Sequence, residues 1–455
     1  MLNQVFKKIK LKLLEMSPMR VILLGFSAII LLGALLLSLP ASSQSGEFTN
    51  FLDSLFTSTS ATCVTGLVRF DTCTHWSWFG KAVLLCLIQT GGLGFMTMAI
   101  SIVVLTKKRI GITARVVMQN SISAPQIGGI VKLTKKIFIG TAIVEGLGAV
   151  LLLVYFIPKL GIAKGVVYSV FHSVSAFCNA GFDLMGYQSQ FTSLTGEADN
   201  WYFNIIIMAL IVTGGLGFVV WFDLIDAKFS FKDLHLQSKL VLTTSGLLIV
   251  LGALSIFLFE LNGTLFKNMP LNEQILTSLF QSVSARTAGF NTVDLASLTD
   301  SSKCMMIFLM FIGGSTGSTA GGLKTTTLAV LVLSVISTIR RKKDLEAFGR
   351  RLEDDISRTA GSIFTIYMII TLFTSMVVAS IENITLMQAM FECVSALATV
   401  GCTLGITTSV GALTEIILIV LMMLGRIGSV TVLVALFSDK SKIGSKHAQE
   451  KIQIG

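Results

Sequence analysis

One short motif recurs four times along this chain of 455 residues, and no other feature restricts its fold as strongly. It reads Phe56-Thr-Ser-Thr-Ser60-Ala61, Phe171-His-Ser-Val-Ser175-Ala176, Phe280-Gln-Ser-Val-Ser284-Ala285 and Phe391-Glu-Cys-Val-Ser395-Ala396. The pattern is F-x-[SC]-[VT]-S-A, at intervals of 115, 109 and 111 residues. A glycine follows each motif phenylalanine: Gly66, Gly181, Gly289 and Gly401, at distances of 10, 10, 9 and 10 residues. The third loop is one residue short, so it is expected to be the least regular.

The surroundings of the motif are apolar. Mean hydropathy is +0.80, with 53% hydrophobic and 13% charged residues, against about 25% charged in an average soluble domain. Eight runs are long enough for membrane helices: 21–39, 82–105, 137–157, 203–221, 240–259, 305–335, 363–381 and 412–437. The first, preceded by lysines, has the look of a signal peptide; its length and the seven runs that follow make it a retained anchor. Each motif lies in a weakly apolar stretch of about 11 residues between two runs, too short to cross, which predicts a re-entrant half-helix.

Charge sets the orientation. With the N-terminus inside, the segments 1–20, 106–136, 222–239, 339–358 and 438–455 hold 26 of the 35 Lys and Arg. That bias places both termini in the cytoplasm and accounts for the net charge of +10 without a nucleic-acid surface. Runs such as Arg340–Lys343 could also touch anionic lipid or an acidic partner. Acidic residues outnumber basic ones in the outside segments, among them Asp53, Asp71, Asp183, Glu197, Glu260, Glu273, Asp294 and Glu392. They read equally well as a cation-concentrating mouth or as ordinary loop solvation. The seven cysteines form no CxxC pair and the four histidines do not cluster, so no zinc or disulfide framework is visible.

The expected fold is an all-α membrane protein of four pseudo-fourfold units around a central pore, each a long helix, a re-entrant pore helix and a second long helix. That makes eight transmembrane helices and four pore helices, with repeats at 1–125, 126–230, 231–345 and 346–455. Irregular backbone at membrane depth must be buried in protein or line water. Four matching turns can aim their carbonyls at one axis, where they replace the hydration shell of a monovalent cation. Glycine reaches backbone angles closed to other residues, and the half-helix C-termini favour positive charge. The candidate filter is Thr62, Cys63, Val64, Thr65 and Gly66; Cys178, Asn179, Ala180 and Gly181; Arg286, Thr287, Ala288 and Gly289; and Ala398, Thr399, Val400 and Gly401. The only metal expected is the ion held by these carbonyls. Small-residue helix packing would also use glycine, but it leaves the fourfold period and the preceding Ser-Ala half-helix unexplained.

These motifs resemble the Trk/Ktr/HKT superfamily of potassium transporters over essentially the whole chain, and most closely its Ktr-type membrane subunit. The extra N-terminal helix pair of the Trk type is missing. The resemblance implies a K⁺ uptake pathway with one narrow filter per subunit, a homodimer, and a cytosolic regulatory ring that binds nucleotide; this chain binds no cofactor itself. Within the superfamily, glycine at all four filter positions goes with K⁺ selectivity, and serine at the first with Na⁺ selectivity in some plant members. The full TVGYG stretch of K⁺ channels is absent here, so fewer ordered ion sites and weaker discrimination are expected.

A second glycine pattern marks the later long run of each repeat: Thr90-Gly-Gly-Leu-Gly94-Phe95, Thr213-Gly-Gly-Leu-Gly217-Phe218, and Gly425-Arg426-Ile-Gly428. Repeat three has Gly313, Gly314, Ser315, Thr316, Gly317, Ser318, Thr319, Ala320, Gly321, Gly322, Leu323, Lys324 and Thr325. Each interior glycine costs a helix about 1 kcal/mol against alanine, so a helix broken by a mid-membrane loop is expected. The resemblance makes this loop a gate below the filter and makes Arg426 its holder; a glycine-rich packing seam and a structural hub are the plainer readings. The stretch also mimics a P-loop with one inserted residue, but it lies within a membrane run and not between a strand and a soluble helix. Lys324 either snorkels or faces the cytoplasmic pore, and Glu145 is an intramembrane charge with no partner legible in sequence.

No His, Asp or Ser cluster suggests an enzyme. The alternatives to K⁺ uptake are a Na⁺-selective member of the same fold and the pore subunit of a K⁺-pumping ATPase, and whether Na⁺ is carried or only activates is left open. An inside-negative potential of 100 mV is worth about 2.3 kcal/mol per charge, enough for about 40-fold accumulation with no chemistry in this chain.

Overall fold

A computed structural model of the chain describes residues 18–94 and 129–428, except 188, 343 and 354. Several sequence expectations lie outside the described residues: Phe95, most of the inside segment 106–136, the later parts of the runs 82–105 and 412–437, Lys343 and the tail 438–455. The described chain is helical, apart from one two-stranded hairpin in which Glu346–Ala347 pairs antiparallel with Arg350–Arg351.

The helices follow the sequence period. The first repeat has α1 (Pro18–Ser38), α2 (Phe51–Cys63) and α3 (Trp78–Leu93). The second has α4 (Ile130–Leu160), α5 (Ile162–Cys178), α6 (Trp201–Leu216) and α7 (Phe218–Asp226). The third has α8 (Leu236–Glu260), α9 (Leu271–Ser284), α10 (Asp300–Phe311) and α11 (Thr325–Ile339), and the fourth α12 (Ile356–Glu382), α13 (Leu386–Leu397) and α14 (Ala412–Ile427). Four helices, α1, α4, α8 and α12, are long and apolar enough to cross a membrane, and the bent pair α6–α7 makes a fifth candidate.

Polarity is reversed relative to a soluble bundle. Leu31, Leu35, Leu147, Val154, Leu247, Leu254, Ile369 and Phe373 on the four long helices are exposed. Ser58, Ser60, Ser173, Ser175, Ser282, Ser284 and Ser395 on the short helices are buried. Such an arrangement is stable where the surrounding medium is apolar. The motif phenylalanines Phe56, Phe171, Phe280 and Phe391 are all buried in the core.

The third motif position, a serine in the first three repeats, explains how three of the four short helices dock. Ser58 donates to the Ile30 carbonyl (2.7 Å), Ser173 to that of Glu145 (2.6 Å) and Ser282 to that of Ile249 (2.8 Å). Each hydroxyl fits because the long helix carries a glycine one turn on: a Cβ on Gly33, Gly148 or Gly252 would collide with the same serine oxygen. This long-helix glycine was not recognised in the sequence, where a lone glycine in an apolar run looks like weak punctuation.

The later long runs are not straight spans. The run 203–221, expected as one helix, is bent by 93° between α6 and α7. The hinge is Gly217, at φ 97°, which a right-handed helix cannot contain. Gly94 (φ 80°) and Gly428 (φ 93°) end α3 and α14 in the same way. The break foreseen in repeat three lies at residues 312–324, between α10 and α11.

Candidate functional site

The four motif glycines come together. A Cβ on Gly66 would stand 2.6 Å from the Ala180 carbonyl oxygen and 3.1 Å from Gly181 Cα. One on Gly181 would meet the Ala288 oxygen at 2.8 Å and Gly289 Cα at 3.1 Å; one on Gly289 would meet the Val400 oxygen at 2.5 Å and Gly401 Cα at 3.2 Å. One on Gly401 would overlap the Thr65 oxygen and lie 2.9 Å from Gly66 Cα. The contacts run 66 to 181 to 289 to 401 and back to 66, a closed ring in sequence order. All four glycines have φ between 69 and 95°, so any side chain there is strained in backbone angle and short of space.

The fifth motif position, serine, builds the turn that carries each glycine. The backbone N–H just before the glycine donates to the serine carbonyl: Thr65 to Ser60, Ala180 to Ser175, Ala288 to Ser284 and Val400 to Ser395, at 2.8–2.9 Å. The serine hydroxyl then holds the far side. It accepts from Gly66 N–H (3.1 Å) and Gly401 N–H (3.0 Å), and donates to the carbonyls of Phe182 (2.6 Å) and Phe290. Two residues before each glycine the chain is also left-handed, at Val64, Asn179, Thr287 and Thr399. Thr62 and Cys63 close α2, Cys178 closes α5, and Ala398 caps α13. The hydroxyls of Thr62, Thr65 and Thr399 are buried with no protein partner.

Arg286 departs from expectation. Its guanidinium turns back to α8, reaching the Ser245 hydroxyl (3.1 Å) and carbonyl (3.4 Å). Only its main chain belongs to the third turn.

The second glycine pattern packs against the first. A Cβ on Gly91, Gly214 or Gly425 would overlap the carbonyl of Thr62, Phe177 or Leu397, each four residues before a ring glycine. These clusters let the later helices touch the ends of the short ones. Helix ends leave carbonyls unpaired, and here the third-repeat loop takes them up. Ser315 N–H donates to Gly215 (2.9 Å), Thr319 N–H to Gly214 (3.3 Å), and Phe218 N–H to Gly317 (2.9 Å). The Thr319 hydroxyl reaches the Phe177 carbonyl (3.2 Å). Hydroxyl pairs Ser315–Thr325 (3.1 Å) and Thr316–Thr326 (3.0 Å) tie the two ends of the loop together.

The loop sits under the ring. A Cβ on Gly321 would overlap the Thr399 hydroxyl, one on Gly322 would meet Ala398 at 3.2 Å, and one on Gly313 would lie 3.1 Å from Thr287 Cγ2. Gly314 packs on Ala320 and Ser318, whose hydroxyl donates to Ser315 (2.6 Å). Arg426 holds the loop from the opposite side. It donates to the Thr319 carbonyl and to those of Gly91 and Gly92 (2.9 Å to the last). It thus joins repeats one, three and four through backbone oxygens. Lys324 is half-buried, and its ammonium caps the carbonyls of Ala320 (2.8 Å) and Gly321 (3.3 Å).

Two other polar groups find partners that the sequence concealed. Glu145 accepts from the Gln89 amide (3.0 Å), with the Cys178 thiol 3.8 Å away. The outer acids are largely engaged: Asp53 pairs with Arg69 (3.0 Å) and Glu197 with Lys159 (2.7 Å). Asp71 accepts from Thr74 and Phe191, Glu260 from Thr299, and Glu392 from Thr403, Leu404 and Thr407. They fasten loops more than they expose charge. Among the described residues no group of three His, Cys, Asp or Glu could hold a metal.

Comparison with known proteins agrees with this architecture. A family model described as TrkH, cation transport protein, matches residues 23–443. The potassium/sodium uptake protein NtpJ of Enterococcus hirae is 37% identical over 97% of this chain and 98% of its own. The Ktr system potassium uptake protein B of Bacillus subtilis is also 37% identical, over 92% and 93%. The crystal structure of the potassium transporter TrkH from Vibrio parahaemolyticus shares the fold, with a TM-score of 0.73 at 19% identity, over 93% of this chain and 86% of that one. These are ion transporters and not enzymes, and the chain belongs to the TrkH family of cation transport proteins.

Proposed function

We propose that the chain is a K⁺ uptake subunit in which the four turns form a selectivity filter and residues 312–324 form the gate beneath it. The observation that carries this reading is the closed ring of Gly66, Gly181, Gly289 and Gly401, each packed against a backbone carbonyl oxygen of the next turn. Carbonyl oxygens replace the hydration shell of a monovalent cation at small cost if they are already in place. The buried, unpartnered threonine hydroxyls beside the ring suit a wet path. The names of the relatives point to the same ion.

In this reading each repeat contributes two spans and one pore helix, giving eight spans over 1–125, 126–230, 231–345 and 346–455. Both termini are cytoplasmic by the positive-inside bias. The membrane potential drives entry, and a cytosolic nucleotide-binding ring acting on a homodimer opens the loop. A relative named for both potassium and sodium favours a part for Na⁺, as activator or second cargo.

Gly66→Ser in a host deficient in K⁺ uptake tests the filter. Lower K⁺ preference and more Na⁺ entry are expected; an unaltered ion preference would show that Gly66 only packs. Deleting three residues within Gly313–Thr325 should raise flux, and unchanged flux would remove the gate assignment.

A further inference from the structure

The ring is not equally tight at its four junctions. The missing Cβ of Gly181 stands 2.8 Å from the Ala288 oxygen, against 2.6 and 2.5 Å at Gly66 and Gly289 and overlap at Gly401. The junction between turns two and three has the longest of these four approaches to a carbonyl oxygen. It also adjoins the short third turn, where Ala288 N–H reaches Ser284 with one residue fewer than the equivalent turns.

A side-chain bridge lies just below this junction. Asn179 and Thr287 immediately precede Ala180 and Ala288, the residues whose oxygens face the neighbouring glycines. Both are buried. In the amide orientation that satisfies every neighbour, Asn179 nitrogen donates to the carbonyls of Ile211 (3.1 Å) on α6 and Ala176 (3.0 Å) on α5. Its oxygen then accepts from the Thr287 hydroxyl at 3.2 Å. At the other junctions nothing comparable exists: Val64 has no polar group, and the Thr399 hydroxyl has no partner. Asparagine also tolerates the left-handed backbone (φ 59°) that strains the β-branched Val64, Thr287 and Thr399.

We infer that the Asn179–Thr287 pair latches turn three to turn two and is a positioning pair for ion discrimination, setting how far the carbonyls of Ala180 and Ala288 can move apart. This rests on the filter reading above. With the latch closed, the ring cannot adapt its size to a different ion at this junction. With it open, the two carbonyls relax, and the ring tolerates both K⁺ and Na⁺.

The test is a double-mutant cycle read as the Rb⁺ to Na⁺ uptake ratio, with Gly66→Ser as control. Asn179→Gly keeps the left-handed backbone and removes the amide; Thr287→Val is isosteric and removes only the hydroxyl. Each is expected to lower the ratio about fivefold, the scale of one lost side-chain hydrogen bond. The double variant should do no worse than either single one, and Thr287→Ser should keep the parent ratio. An unchanged ratio in Thr287→Val and Asn179→Gly, with Gly66→Ser still altering it, would overturn the latch and leave the filter standing. Strictly additive effects, or a fall in total uptake at constant ratio, would likewise reduce the pair to packing. If Gly66→Ser also left the ratio unchanged, the filter reading would fail and the latch with it.

Discussion

Alanine substitution at the four ring glycines should produce a graded series whose order follows from the local geometry. At Gly181 the new Cβ meets the Ala288 oxygen at 2.8 Å with φ at 69°, close to the left-handed well that an L-residue enters at about 1–2 kcal/mol. At Gly401 the Cβ overlaps the Thr65 oxygen, lies 2.9 Å from Gly66 Cα, and requires φ near 93°, outside that well. Both obstacles are backbone, which cannot swing aside as a side-chain tip can. Overpacking a tight site adds about 1–3 kcal/mol. The sum is about 2 kcal/mol for Gly181→Ala and about 4 kcal/mol for Gly401→Ala, with Gly66 and Gly289 between. If that strain falls on the ion-occupied ring, half-saturation for Rb⁺ rises about 30-fold at Gly181 and about 800-fold at Gly401. The assay is the concentration dependence of Rb⁺ uptake in cells lacking other K⁺ uptake, normalised to the amount of membrane-inserted protein. Four equal effects, or greater damage at Gly181 than at Gly401, would refute the geometric argument.

Two further predictions use the contacts around the ring. Arg426→Gln removes hydrogen bonds from a charged group, each worth about 1.5–3 kcal/mol, and should raise basal uptake by freeing the loop; unchanged or lower uptake at normal protein levels would show that the arginine does not restrain it. Gly214→Ala drives a Cβ into the Phe177 carbonyl, whereas at Gly215 the nearest atom is the end of the Asn179 side-chain amide at 3.4 Å. Gly214→Ala should therefore lose about 2–3 kcal/mol of stability and Gly215→Ala little, a contrast that thermal unfolding in detergent would check.

The candidate site was legible because its parts repeat. A serine and a glycine six residues apart in three repeats and five in the third could be read without coordinates, and all four turns carry the same Ser-carbonyl bond. Arg426 was also legible, since a charge in an apolar run must find polar company. Its contact with the loop was expected only from the family resemblance, and Gly91 and Gly92 as further acceptors were not expected, because they come from a helix more than 330 residues away. The bend at Gly217 was missed because the run 203–221 is apolar throughout, and hydropathy does not register a single positive φ. For the acids of the predicted outside segments the sequence left two readings open, since the composition of a loop cannot show which carboxylates are spent on its own amides.

The one-dimensional pattern by itself determined the membrane character, the repeat and the four ring glycines. Those depend on local quantities, namely run length, charge bias and a fixed interval between residue types. Tertiary structure alone decided which oxygen faces which glycine, that Arg286 turns away to Ser245, that Glu145 meets Gln89, and that the third-repeat loop rests on carbonyls freed at the end of α6. Each of these is a contact between distant segments, set by how helices cross and where backbone bonds are left open, and neither has a signature in the order of residues along the chain.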